Sequence, residues 1–126
     1  MLLPTNVVSV IDNFVLDFAS TSQLRINQMI LFGSYSKDTW NQRSDIDLAV
    51  ICPREAWTEL QGRIISFSRS NPDFPVQVQI GNNYGLGSLM YGQKQRCHKL
   101  HLFLMPQLTP HNTLSEEIIR RGVNVL

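Results

Sequence analysis

Asp45 and Asp47 stand two residues apart in the run SDIDLAVI. If this run is a strand, side chains alternate between its two faces, so both carboxylates point the same way while Ile46, Leu48 and Val50 point into a core. Two acids about 7 Å apart along one strand edge repel each other unless a cation lies between them. A hard divalent ion such as Mg²⁺ suits them, because it takes oxygen ligands and keeps positions open for phosphate oxygens. Upstream, an apolar run Met29–Phe32 stops at Gly33-Ser34. Gly33 lets the backbone come close to a ligand. Ser34 brings a hydroxyl and an N–H to the opening of a helical turn, where phosphate is readily held. If the two strands are neighbours, a phosphate at Gly33-Ser34 and a cation at Asp45 and Asp47 can share one nucleoside triphosphate. Taken singly, each feature is commonplace: a Gly-Ser after a strand is usually a turn, and acids at a strand end are usually solvated.

The elements that must position these residues follow from periodicity. Val7, Val8, Ile11, Phe14, Val15 and Phe18 recur at helical spacing after Pro4 and Thr5. Strands are expected at Met29–Phe32, Ile46–Ile51 and Val76–Ile80, the last alternating with Gln77 and Gln79, and at Leu100–Leu104. Between them, Trp57, Leu60, Ile64, Ile65 and Phe67 predict a helix over about 54–68. Residues 81–98 are rich in Gly, Asn and Gln and read mostly as loop. Thr113 to Arg121 reads as a final helix, with Glu116 and Glu117 in its first turn, Arg120 and Arg121 in its last, and Gly122 as the stop. The expected architecture is α+β: one domain over 1–126, a small mixed sheet of about four strands flanked by helices.

Composition narrows the function classes. The chain has 126 residues, 43% hydrophobic and 17% charged, which excludes disordered, collagenous and coiled-coil classes. A net charge of +1 argues against nucleic-acid binding by bulk charge. The two cysteines are too few for a disulfide framework, so free thiols and a cytoplasmic setting are expected. No membrane span or signal peptide is expected.

The segment ILFGSYSKDTWNQRSDIDLAVI resembles the signature of the DNA polymerase β-like nucleotidyltransferase superfamily: an apolar strand, Gly-Ser, a fixed spacer, then Asp-x-Asp. The ten residues between Ser34 and Asp45 match the spacer of the minimal nucleotidyltransferases, small proteins often paired with a HEPN-domain partner as toxin and antitoxin. The ending LSEEIIRRGVNVL is similar to the tail of many of them. The resemblance implies that Gly33 and Ser34 contact the triphosphate and that Asp45 and Asp47 are catalytic and bind Mg²⁺ or Mn²⁺. It further implies an NTP substrate, with ATP expected, and transfer of a nucleoside monophosphate to a hydroxyl on a protein or RNA. Lys37 stands where the family often has Arg and is the candidate phosphate contact; its other reading is a solvated lysine. Asp38 stands where the family often has Gly, and Ser44 is read as a loop hydrogen-bonding residue.

Active members carry a third carboxylate on a later strand, and here the pattern departs. On the strand from Val76, Gln77 occupies the candidate third-acid position; the strand from Lys99 offers Lys99 and His101. No Asp or Glu occurs from Phe74 to Ser115. Gln can offer a carbonyl oxygen to a cation but cannot take a proton. The alternative reading is therefore a catalytically impaired module that docks a HEPN-type toxin. Cys97-His98-x-x-His101 lacks the second ligand pair of a zinc site. Lys94, Arg96, Lys99 and His101 form a candidate basic rim for triphosphate, RNA or an acidic partner. Trp40, Tyr84, Leu86 and Tyr91 are candidate interface residues for an oligomer.

Overall fold

The computed structural model describes residues 3–19, 26–41, 44–71, 75–80, 88–91, 100–108 and 113–126. Helix α1 (Thr5–Ala19) opens behind Pro4, whose carbonyl accepts the Val8 N–H at 3.0 Å. Strand β1 (Gln28–Phe32) leads into a single 3₁₀ turn, Gly33–Tyr35, and on to β2 (Ile46–Ile51). A second 3₁₀ turn, Arg54–Ala56, precedes α2 (Trp57–Ser70). Then come β3 (Val76–Ile80), β4 (Ser88–Tyr91), β5 (Leu100–Met105), α3 (Thr113–Arg121) and a two-residue β6 (Val123–Asn124).

The strands form one mixed sheet in the order β4-β3-β5-β2-β1-β6. β3, β5 and β2 run parallel, while β1, β6 and β4 pair antiparallel with their neighbours. The α+β architecture is as the sequence pattern predicts, but among the described residues the sheet has six strands rather than about four. β4 falls in the Gly- and Asn-rich segment read as loop. Its hydrogen bonds come from hairpin pairing with β3, a tertiary partner that local composition does not announce. β6 is held by two register pairs to β1, too short to leave a periodic trace.

Period-2 alternation sorts the sheet into two faces. Met29, Leu31, Ile46, Leu48, Val50, Val76, Val78, Leu100, Leu102 and Leu104 join Val7, Ile11, Phe14 and Phe18 of α1 and Leu60, Ile64 and Phe67 of α2 in one buried cluster. The Phe14 ring meets Phe18 at 4.2 Å and the edge of Phe67 at 5.3 Å. On the other face, Ile30, Phe32, Ala49, Ile51, Phe103 and Met105 pack with Ile118 of α3. A Cβ at Gly122 would overlap the Ile30 side chain, so the glycine that ends α3 also lets the helix end sit on β1. None of the described helices is long and apolar enough to cross a membrane.

Leu48 lies at the centre of the larger cluster and is fully buried. Leu48→Ala is expected to lower unfolding free energy by about 2–5 kcal/mol, read from urea denaturation. Cys52 is also fully buried, and burial pushes its thiol from 9.0 up to about 11, against a smaller lowering by Trp57. The unfolded thiol therefore ionises first as pH rises, and stability should fall between about pH 9 and 11. Burial, with the charge of Asp45, also raises the Tyr35 phenol above 10.0, which adds loss in the same direction above that pH. Measured denaturation midpoints should show this slope, and Cys52→Ala should reduce it.

Candidate active site

The β1–β2 pairing sets the site. Phe32, the last residue of β1, is the register partner of Asp47, so Gly33 turns away beside the Asp47 carboxylate. Gly33 has φ +74°, and a Cβ there would overlap Asp47 Oδ2. Both facts require glycine: the left-handed backbone disfavours a side chain, and the carboxylate fills the space that one would occupy.

The turn that follows is built on one carbonyl. Gly33 O accepts the Lys37 N–H at 3.2 Å, the Ser36 Oγ–H at 3.0 Å, and the Ser36 N–H. The Ser34 carbonyl accepts the Thr39 N–H at 3.0 Å. A single 3₁₀ turn, Gly33–Tyr35, forms where a helical turn is expected. Asp38 adopts φ +58°, the left-handed conformation that glycine takes without strain. Asp is among the few non-glycine residues that tolerate this region. Tyr35 is buried in the larger core and stacks on Trp40 at 5.8 Å. Its hydroxyl donates to the Ser44 carbonyl at 3.4 Å. Ser44 Oγ accepts the Asn41 N–H at 2.9 Å, the loop role expected of it. These bonds tie the spacer back to Asp45, which precedes β2 and is half-buried.

Asp47 is 21% exposed. The strand beside β2 is β5, not β3: Asp47 pairs in register with His101, and His101 pairs in turn with Gln77. Gln77 is thus two strands from Asp47, and His101 stands between. His101 Nδ1 lies 3.6 Å from Asp47 Oδ1, and the ring stacks on Phe103 at 4.0 Å. The β3–β4 hairpin delays the neighbouring strand to a later point in the chain. The signal for it was the second alternating run, Leu100–Leu104, with His101 on its polar phase.

Lys37 reaches α3, where its ammonium pairs with Glu117. Lys37, Glu116, Glu117, Arg120 and Arg121 line a pocket between the turn and the helix. Another cleft, between α1 and α2, is lined by Asn13, Leu16, Asp17, Phe67, Ser70 and Asn71; it contains none of the sequence-predicted site residues. Lys94, Arg96, Cys97, His98, Lys99, Tyr84 and Leu86 lie outside the described residues. Among the described residues, no three His, Cys, Asp or Glu side chains converge as a metal-binding group.

The site is thus a glycine turn laid against a strand carboxylate, with a second acid two residues away, in an α+β protein. Residues 11–89 match the family model for the nucleotidyltransferase domain, and the chain belongs to that family. The match takes in Gly33, Ser34, Asp45 and Asp47 and ends in β4, before His101 and α3. No curated protein matches the chain. Nucleotidyltransferase domains use a nucleoside triphosphate and a divalent metal to transfer a nucleotidyl group.

Gly33→Ala should force the turn off Asp47. Unfolding free energy is expected to drop by about 1–3 kcal/mol, the cost of a strained backbone position, with urea denaturation as the readout.

Proposed function

We propose that the protein binds an NTP, ATP first among them, with Mg²⁺ or Mn²⁺ and transfers a nucleoside monophosphate to a hydroxyl on a protein or RNA. The observation that carries this reading is the packing of Gly33 against Asp47 at the end of the β1–β2 pair. Gly33 and Ser34 take the triphosphate, and Asp45 and Asp47 hold the cation.

The residues present fit such an ion. Two carboxylates supply hard oxygen donors, and Mg²⁺ is commonly held by one or two carboxylates with substrate phosphates completing its shell. When bound, the ion neutralises charge on the phosphate oxygens. The chain's own contribution is positional. The Gly33 turn brings backbone close to the phosphates, the β1–β2 register fixes Asp47 beside it, and Tyr35 and Ser44 hold the approach to Asp45. The acceptor oxygen bonds to the α-phosphorus, the bond to the β-phosphate oxygen breaks, pyrophosphate leaves, and the acceptor proton passes to water. Lys37 reaches a triphosphate only by exchanging Glu117. The exchange is cheap, because the pair is about one-third exposed and such pairs are worth about 0–1 kcal/mol.

A second reading rests on the acid-free stretch Phe74–Ser115: a module with little or no transfer that acts by binding a HEPN-type partner. One experiment separates the two. The protein is incubated with α-labelled ATP, Mg²⁺ or Mn²⁺ and candidate acceptors, a HEPN-type protein encoded beside it being the first. Label should pass to the acceptor, and Asp47→Ala should reduce the rate about 100-fold or more. Absence of transfer, or equal transfer by Asp47→Ala, overturns the enzymatic reading. Copurification with the partner that survives Asp45→Ala/Asp47→Ala then favours the binding module.

A further inference from the structure

The face that carries Asp47 can be followed row by row. Phe32, Asp47, His101 and Gln77 are successive register partners across β1, β2, β5 and β3. The residue beside Asp47 on the next strand is therefore an imidazole, 16% exposed, seated on Phe103 with 27° between the ring planes. In either protonation state it adds no negative charge.

The supply of carboxylates can be counted over the whole chain. It holds ten acids, and none lies between Phe74 and Ser115. Neither β3, β4, β5 nor the segments that join them can bring a carboxylate to Asp47, whatever conformation those segments take. Asp12 and Asp17 belong to α1, and Glu55 and Glu59 to the turn and helix of α2, the layer on the opposite face. Asp38 and Glu116 are exposed, Glu117 is paired to Lys37, and Asp73 precedes β3, outside the described residues. Two divalent ions about 3.5–4 Å apart carry four positive charges, which protein carboxylates must share with the triphosphate oxygens. Asp45 and Asp47 supply two negative charges between them.

We infer that this centre takes a single divalent cation with its nucleotide, and that His101 fills the place beside Asp47 from which a second ion would have to be held. His101 packs against the Asp47 carboxylate as a positioning residue rather than as a ligand. The inference rests on the nucleotidyl-transfer reading above, whose failure has its own signature.

The test counts Mn²⁺ bound per chain from the loss of the free-ion paramagnetic resonance signal. The non-hydrolysable analogue α,β-methylene-ATP is saturating, and its own Mn²⁺ binding is subtracted by a protein-free titration. Wild type is expected to hold one Mn²⁺ at the centre, His101→Ala one, and His101→Asp two. Circular dichroism confirms that each variant is folded. Two ions in wild type overturn the inference without any variant. Loss of the single ion in folded His101→Ala makes His101 a ligand and also overturns it, as does one ion in folded His101→Asp. If wild type binds neither analogue nor Mn²⁺, the nucleotidyl-transfer reading itself falls, a result distinct from a count of two.

Discussion

The register between β1 and β2 is the constraint on which the site depends. Phe32 opposite Asp47 places the end of one strand against a carboxylate of the other, and the turn at Gly33 begins there. A slip of one residue would move every β2 side chain to the opposite face. Asp47 would then enter the apolar layer under α1 and α2, and Ile46, Leu48 and Val50 would leave it. Burying an unpaired carboxylate costs far more than a misplaced aliphatic side chain. The hydrophobic pattern that folds the sheet therefore also aims the acids, and core and chemistry are specified by one alternation.

The spacer between Ser34 and Asp45 is held by the same economy. One carbonyl, that of Gly33, gathers Ser36 and Lys37, so the turn closes on the residue that touches Asp47. Tyr35 then anchors the turn in the opposite core, and its hydroxyl reaches the residue before Asp45. Burial raises the Tyr35 phenol first, and the Asp45 charge raises it further. The hydroxyl thus stays protonated and able to donate at neutral pH. The spacer is a brace between two ends of one site rather than slack between two strands.

Much of this was legible in the sequence because it is written locally. The helix over Thr5–Ala19, the strands at 46–51 and 76–80 and the helix at 113–121 each carry their own periodicity and stops. Gly33, Ser34, Asp45 and Asp47 were legible as a group because their spacing crosses only one hairpin. Asp38 was legible only as a departure: its left-handed backbone follows from the turn's closure, which residue type does not reveal. Gln77 lies two strands from Asp47 for a non-local reason. Chain order suggests β3 as the next strand after β2, but β5 pairs between them, and strand order is decided by packing across the whole sheet. β4 stayed hidden for the same reason, its pairing being a property of β3 rather than of its own composition.

The histidine beside Asp47 also bears on the protein without its ligand. Asp45 and Asp47 already repel each other when no cation lies between them. A third carboxylate at position 101 would stand directly beside Asp47 on the neighbouring strand, about 4.8 Å away along the hydrogen-bonding direction. Like charges facing each other across a strand pair are destabilising, and this sheet would carry that load whenever the nucleotide was absent. An imidazole on Phe103 removes the repulsion and substitutes ring packing at 4.0 Å. The exchange favours the empty fold and lowers the charge available to draw in metal. On the single-cation proposal, such a centre would depend on the triphosphate to complete the cation's shell, and nucleotide and metal would arrive as a coupled pair.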